Sequence, residues 1–280
     1  MKYYFVLISL LILASTVLQN VPLAQSNCLY GCYNPVIDNK YYVYSDVANV
    51  RTLPDIDSEI KFKLFAGQEI MNISYKENSN IIDGMNGYWY FIKTIDGTNR
   101  EGWIWSQTLS CMQLQKGDTR FVFGMDSGVE KYDCKLTIKA IENGKIVDRK
   151  IFESYFAMGC DSARIIDSVK LKNVEYVVHL TFNTFGCNEI GEDEFYFAWL
   201  NEKKKLVKLP KTSFYSRKSE DLHIPTKSNR GIPNILVKVT ENGIGEPIWD
   251  TDSGYKWDKY EYKTELFKWD GEKVIKIKQQ

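Results

Sequence analysis

Wherever its apolar residues are regular, this sequence keeps a period of two. Ile60, Phe62 and Leu64 alternate with Lys61 and Lys63, and Cys134, Leu136, Ile138 and Ala140 alternate with Lys135, Thr137 and Lys139. Successive strand residues point to opposite faces, so this spacing turns one row inward and puts the charged row in water. No long window repeats its apolar residues at helical spacing. The fold class that follows is all-β.

Turn signals divide the chain into strands. Tyr41-Tyr42-Val43-Tyr44 is rich in strand-forming aromatics, and Ile70, Ile73 and Tyr75 follow a turn at Gly67. Tyr88-Trp89-Tyr90-Phe91-Ile92 is aromatic on both faces, and Asp96-Gly97 is a hairpin turn ahead of Trp103-Ile104-Trp105. Lys76 to Gly87 reads as a polar, glycine-bearing loop. Five short strands in about 70 residues is the arithmetic of a small barrel, over 41–110. From 119 to 280 the strands lengthen, with turns at Glu142-Asn143-Gly144-Lys145 and Asp270-Gly271. That region predicts a larger antiparallel β domain, either a sandwich or a partial propeller-like meander. Lys211 to Asn234, holding Pro225, Gly231 and Pro233, is its longest irregular segment.

The first 26 residues read as a leader rather than as part of the fold. Lys2 precedes an apolar run from Tyr3 to Leu13, and Ala24-Gln25-Ser26 supplies the small-x-small pattern of a signal peptidase site, so cleavage after Ser26 is expected. Residues 27–40 form a turn-rich lead-in. A membrane association follows only if the leader is retained or Cys28 is lipidated, and Ala24-Gln25-Ser26-Asn27 matches an ordinary lipobox poorly. Export makes the six cysteines, Cys28, Cys32, Cys111, Cys134, Cys160 and Cys187, candidates for disulfides. Lys plus Arg equals Asp plus Glu at 36 each, so no global basic field exists to hold nucleic acid.

Chemical motifs are sparse. Cys160 followed by His179 has the order of a cysteine peptidase, yet the residues after Cys160 read as strand, turn, strand instead of the helix that would stabilise a thiolate. His223 lies in the irregular segment without a partner motif. Glu189, Glu192, Asp193 and Glu194, and separately Asp250 and Asp252, have spacings open to calcium, with solvated loop charge as the plainer reading. Lys203-Lys204-Lys205 is a solvated turn. No catalytic residue, metal site or cofactor is assigned.

The stretch from Tyr41 to Leu109 carries a resemblance. Asn49-Val50-Arg51 followed by Pro54, the spacing Ile60-x-x-x-Leu64-x-x-Gly67-x-x-Ile70, then Trp89-Tyr90 and Gly102-Trp103-Ile104 ending at Leu109 together resemble the bacterial SH3-like (SH3b) domain. The resemblance covers about a quarter of the chain, and it departs at Thr52-Leu53 and in the long 76–87 loop. It implies a cell-envelope setting and binding of peptidoglycan or its peptides, beside a catalytic domain in many members. The near termini of such a barrel imply a bridge from Cys32 or Cys28 to Cys111. Cys160 and Cys187 are then plausible neighbours, leaving Cys28 and Cys134.

Aromatic residues are the best binding candidates: Tyr88, Tyr90, Trp103 and Trp105. Tyr88, Tyr90 and Ile92 share one side of their strand, and Trp89 and Phe91 share the other. The core takes only one row, so the other is exposed for recognition or covered by the second domain. The expected function is non-catalytic binding of peptidoglycan peptide, glycan or another envelope protein. Alternatives are an envelope hydrolase with its site in the C-terminal β domain, and a scaffold in which the barrel docks on the second domain.

Overall fold

The computed structural model describes residues 36–83, 85–110, 112–126, 133–155, 157–186, 189–250 and 254–278. The expected leader and most of the lead-in lie outside them. Each expected disulfide includes Cys28, Cys32, Cys111 or Cys187 and so lies outside them too. Among the described residues no helix is long and apolar enough to cross a membrane.

The fold is all-β and its sheets are antiparallel. Strands β1 (Lys40–Tyr42), β2 (Val47–Arg51), β3 (Ile60–Phe65), β4 (Glu69–Tyr75), β5 (Asn80–Ile82), β6 (Met85–Gly87), β7 (Trp89–Thr94) and β8 (Glu101–Trp105) come first. Six of them form a sheet ordered β1-β4-β7-β8-β2-β3, while β5 and β6 pair as a separate hairpin. A 3-10 turn at Ser106–Thr108 follows, and Leu109 then bridges back to Val43. The stretch read as a loop over 76–87 thus carries a hairpin, with Ile81 and Ile82 as its strand residues and Asp83 in the left-handed region at its turn.

A second sheet of four strands has the order β12-β11-β10-β9, from β9 (Gln113–Lys116), β10 (Thr119–Met125), β11 (Asp133–Glu142) and β12 (Lys145–Tyr155). Asn143 and Gly144, both at positive φ, make the β11–β12 turn where the sequence places it. The last sheet has nine strands. They are β13 (Ala157–Ile166), β14 (Tyr176–Gly186), β15 (Glu189–Leu200), β16 (Lys205–Lys208), β17 (Thr212–Tyr215), β18 (Lys218–His223), β19 (Ile235–Asp250), β20 (Gly254–Trp269) and β21 (Val274–Lys276). They pair consecutively except that β15 holds both β16 and β17.

Strands β17 and β18 fall inside the segment read as irregular. Their alternation was hidden because Thr212 and Ser213, the buried residues of β17, are polar and hydrogen-bond the carboxylates of Glu194 and Asp193 on β15. At the start of the long β19–β20 ribbon, Trp257 donates its indole N–H to Ser216 C=O at 3.0 Å and lies directly on Gly243. A Cβ at Gly243 would overlap that ring, so only glycine admits the approach.

One hydrophobic cluster runs through all three large sheets. Tyr41, Val50, Leu64, Tyr90, Ile92 and Ile104 of the first sheet join Phe121, Phe123, Leu136 and Phe152 of the second and Val178, Phe182, Phe197 and Trp199 of the third. A separate cluster on the opposite face of β14 and β15 joins Val177, Tyr196 and Ala198 to Leu222, Leu236 and Trp269, so the nine-stranded sheet curls back over its own central strands. Phe152 is the hub between the second and third sheets, with ring centroids 4.6 Å from Phe195, 5.3 Å from Phe197 and 5.8 Å from Phe182. Phe152→Ala is expected to destabilise the fold by about 3–5 kcal/mol, read as a lowered midpoint in guanidinium unfolding.

Candidate functional site

The period of two in β7 and β8 decides which aromatics meet solvent. Tyr90, Ile92 and Ile104 turn into the core and are fully buried. Trp89 stands opposite Trp105 and Phe91 opposite Trp103 on the other face, with ring centroids 5.6 and 5.2 Å apart. The four aromatic candidates therefore do not converge. Tyr88 packs partly buried against the core with its ring edge-on to Tyr75, Tyr90 lies inside the core, and only Trp103 and Trp105 share the outer face. Tyr90 accordingly drops out of the site and Trp89 enters it.

The outer face is not bare. The β5–β6 hairpin closes over Trp105, and Gly87 is close enough that a Cβ there would lie 2.9 Å from Trp105 Cζ2. Trp89 and Trp105 are left 2% and 7% exposed, lining a cleft of about 440 Å³ between the first and second sheets. This volume lies in the range of small-ligand sites, roughly 300–1,000 Å³. The Trp105 indole N–H is buried with no acceptor among the described residues.

Charged groups from distant parts of the chain form the facing wall. Lys139 of β11 is buried and donates to Tyr44 C=O and to Asp46 Oδ1, both at 2.8 Å, with its ammonium 4.1 Å from the centre of the Tyr44 ring. Arg149 of β12 reaches Asp46 Oδ2 at 2.9 Å. The Lys139 hydrogen bond, helped against partial burial by Arg149, holds the Asp46 carboxyl below the usual carboxylate range. Asp126 accepts the Tyr44 hydroxyl at 2.5 Å and the Thr137 hydroxyl on its other oxygen. The alternation of β11 puts Lys139 in the solvent row, whereas Thr137 and Lys139 are 2% and 4% exposed because the Tyr44–Asp46 loop covers that face. Asp46, Asp126, Lys139 and Arg149 carry no local motif, so only the docking of the sheets brings them together.

The described residues lining the cleft include neither His nor Cys. His179 and the acidic run lie elsewhere. His179 stacks on Tyr196 at 4.4 Å, and its Nδ1 accepts Arg164 Nε–H at 2.8 Å, which places the ring proton on Nε2, 3.3 Å from Glu194. It stands opposite Arg164, while Cys160 stands opposite Phe182 three residues further along β14. His223 is exposed, 3.4 Å from Asp221. Asp193 and Glu194 are not solvated loop charges: both sit in β15, and fully buried Asp193 accepts Ser154, Ser213 and Lys211 at 2.7, 2.8 and 2.7 Å. Among the described residues no group of three or more His, Cys, Asp or Glu is placed to hold a metal ion. Residues 251–253, within the Asp250 to Gly254 run, lie outside the described residues. Lys203 and Lys204, read as a solvated turn, are ion-paired with Glu272 and Glu142.

Comparison with protein-family models, with curated proteins and with solved structures finds no match to this chain.

Glu194 makes the acidic network sensitive to pH. Burial alone would raise its carboxyl, but hydrogen bonds from His179, Thr212 and Tyr196 outweigh that and hold it at about 2, against 4.5 for a free glutamate. A depressed pKa stabilises the fold above the unfolded value, and the contribution is lost as pH falls from there through the folded value. Stability measured between pH 5 and 2 is expected to fall by on the order of 2 kcal/mol through this group. Glu194→Gln is expected to flatten that slope while lowering stability at pH 7.

Proposed function

We propose that the chain is an exported, non-catalytic cell-envelope binding protein that holds peptidoglycan peptide or glycan in the cleft between its first and second sheets. One observation carries the reading: the Trp89–Trp105 pair, with an indole N–H lacking an acceptor, lies beside a wall bearing Lys139, Arg149, Asp46 and Asp126. A wall of mixed charge suits peptides that carry both carboxylates and amines. The SH3b resemblance of Tyr41 to Leu109 points to the same ligand class, and the leader with its even cysteine count supports export. Asp46 and Asp126 are already engaged by Lys139, Arg149, Tyr44 and Thr137, which suits binding better than proton transfer.

The hydrophobic cluster shared by the sheets favours a second reading, a scaffold in which the first sheet docks on the rest of the chain. Sedimentation with purified murein separates them. The chain is expected to co-sediment with murein, and its tryptophan fluorescence to change on titration with soluble murein fragments. Arg149→Glu, at a half-exposed side chain whose ion pair contributes about 1 kcal/mol or less to the fold, is expected to weaken retention about tenfold. No retention together with hydrolysis of murein overturns the proposal in favour of an enzyme. No retention and no fluorescence change leaves the scaffold.

A further inference from the structure

The outward row of β2, Val47, Asn49 and Arg51, lines the cleft along its length. Arg51 stands opposite Trp103 of β8, so in this antiparallel pair Asn49 comes level with Trp105. The strand therefore runs beside the indoles from Asp46, where Lys139 and Arg149 converge, to Arg51 at the far end. That span is about 17 Å at the usual rise per residue of a strand. The cations at its two ends differ. Arg149 is already answered by Asp46. Arg51 donates Nη1–H to Ser58 C=O at 2.5 Å, and among the described residues no carboxylate pairs with it, those of Asp55, Asp57 and Glu59 on the adjoining loop included. Ser58 is itself fixed by its hydroxyl, which lies 2.9 Å from both Leu53 C=O and Asp55 C=O. One edge of the guanidinium is thus held by a neutral acceptor on a tied loop, and its charge is left for an outside partner.

We propose that Arg51 takes the C-terminal carboxylate of a short extended peptide laid along β2. Resting on the murein-binding role proposed for the cleft, this assignment selects peptide over glycan as the ligand. A guanidinium presents five N–H donors in a fixed fork, so the bond to Ser58 leaves enough of them for a carboxylate. Held in place before the ligand arrives, the fork loses little freedom on binding. Behind it, the groups that would meet a peptide backbone are present and unengaged. The Asn49 side-chain amide has no partner among the described residues, and the Trp105 indole N–H level with it has no acceptor. The span from Asp46 to Arg51 matches about five extended residues. An amide in place of the terminal carboxylate would keep one acceptor oxygen but lose the charge, and hydrogen bonds between ionised groups are roughly twice as strong as neutral ones.

The test titrates the full chain, by tryptophan fluorescence, with a synthetic murein tetrapeptide ending in a free carboxylate and with the same peptide ending in a carboxamide. The wild type is expected to bind the acid about tenfold more tightly than the amide. Arg51→Gln is expected to bind both alike, at the wild type's affinity for the amide, with circular dichroism unchanged. Equal affinity of the wild type for acid and amide overturns the proposal without recourse to a variant. So does a tenfold preference that survives in folded Arg51→Gln, since the carboxylate is then bound elsewhere. Both results leave the cleft as a murein site. Retention on murein with no binding of either peptide overturns the proposal in favour of glycan, and no retention on murein removes the murein-binding role and the proposal together.

Discussion

A β-strand has two faces, and in β14 and β15 both are buried. Tyr176, Val178, Leu180, Phe195, Phe197 and Trp199 face the second sheet, while Val177, Tyr196, Ala198 and Leu200 face the curled-back half of their own sheet. This is the constraint on which the remaining architecture depends. One side requires a covering sheet, supplied by β9 to β12, and the other requires β18 to β21 to bend over it. Where apolar cover ends along the same strands, the buried positions become polar, and each is answered: Asp193 by Ser154, Ser213 and Lys211, and Glu194 by Tyr196 and Thr212. A buried carboxylate without such partners would cost several kcal/mol, so the polar end of β15 fixes β17 in register as firmly as a hydrophobic seam would.

This two-sided burial also sets what the sequence makes legible. Period two reports parity faithfully. It places Tyr90, Ile92 and Ile104 on one side and Trp89, Phe91, Trp103 and Trp105 on the other, and Asn143-Gly144 and Gly97 turn where composition says they should. Parity does not say which face is covered when a second layer exists. Lys139 alternates with apolar neighbours like any surface lysine, yet it is buried because Tyr44 and Asp46 lie on it. Strand β17 was illegible for the complementary reason, since its buried residues, Thr212 and Ser213, are polar. The cleft was illegible altogether, because Asp46, Trp105, Asp126 and Arg149 come from separate strands and loops and meet only through tertiary packing.

Lys139 ties two properties of the molecule together. Its ammonium bonds the Tyr44 carbonyl and the Asp46 carboxylate of the first unit from a position in the second sheet, and Arg120 of β10 adds a second tie, lying 4.4 Å over the Tyr42 ring and donating to Gly67 C=O. Lys139 therefore both docks the sheets and walls the cleft. An occupant of the cleft contacts both partners of that docking, and anything that binds only the docked form raises its population by mass action.

The β19–β20 ribbon has a further consequence, in its dynamics. From Val237 to Asn242, β19 has a neighbour on each side, and Trp257 anchors the ribbon through Gly243 and Ser216. Beyond that anchor, among the described residues, each strand has only the other. Local opening is governed by how much packed structure must separate. A single pair of continuous strands thus holds amide protons of two different lifetimes, and the boundary between them is one tryptophan ring seated on one glycine.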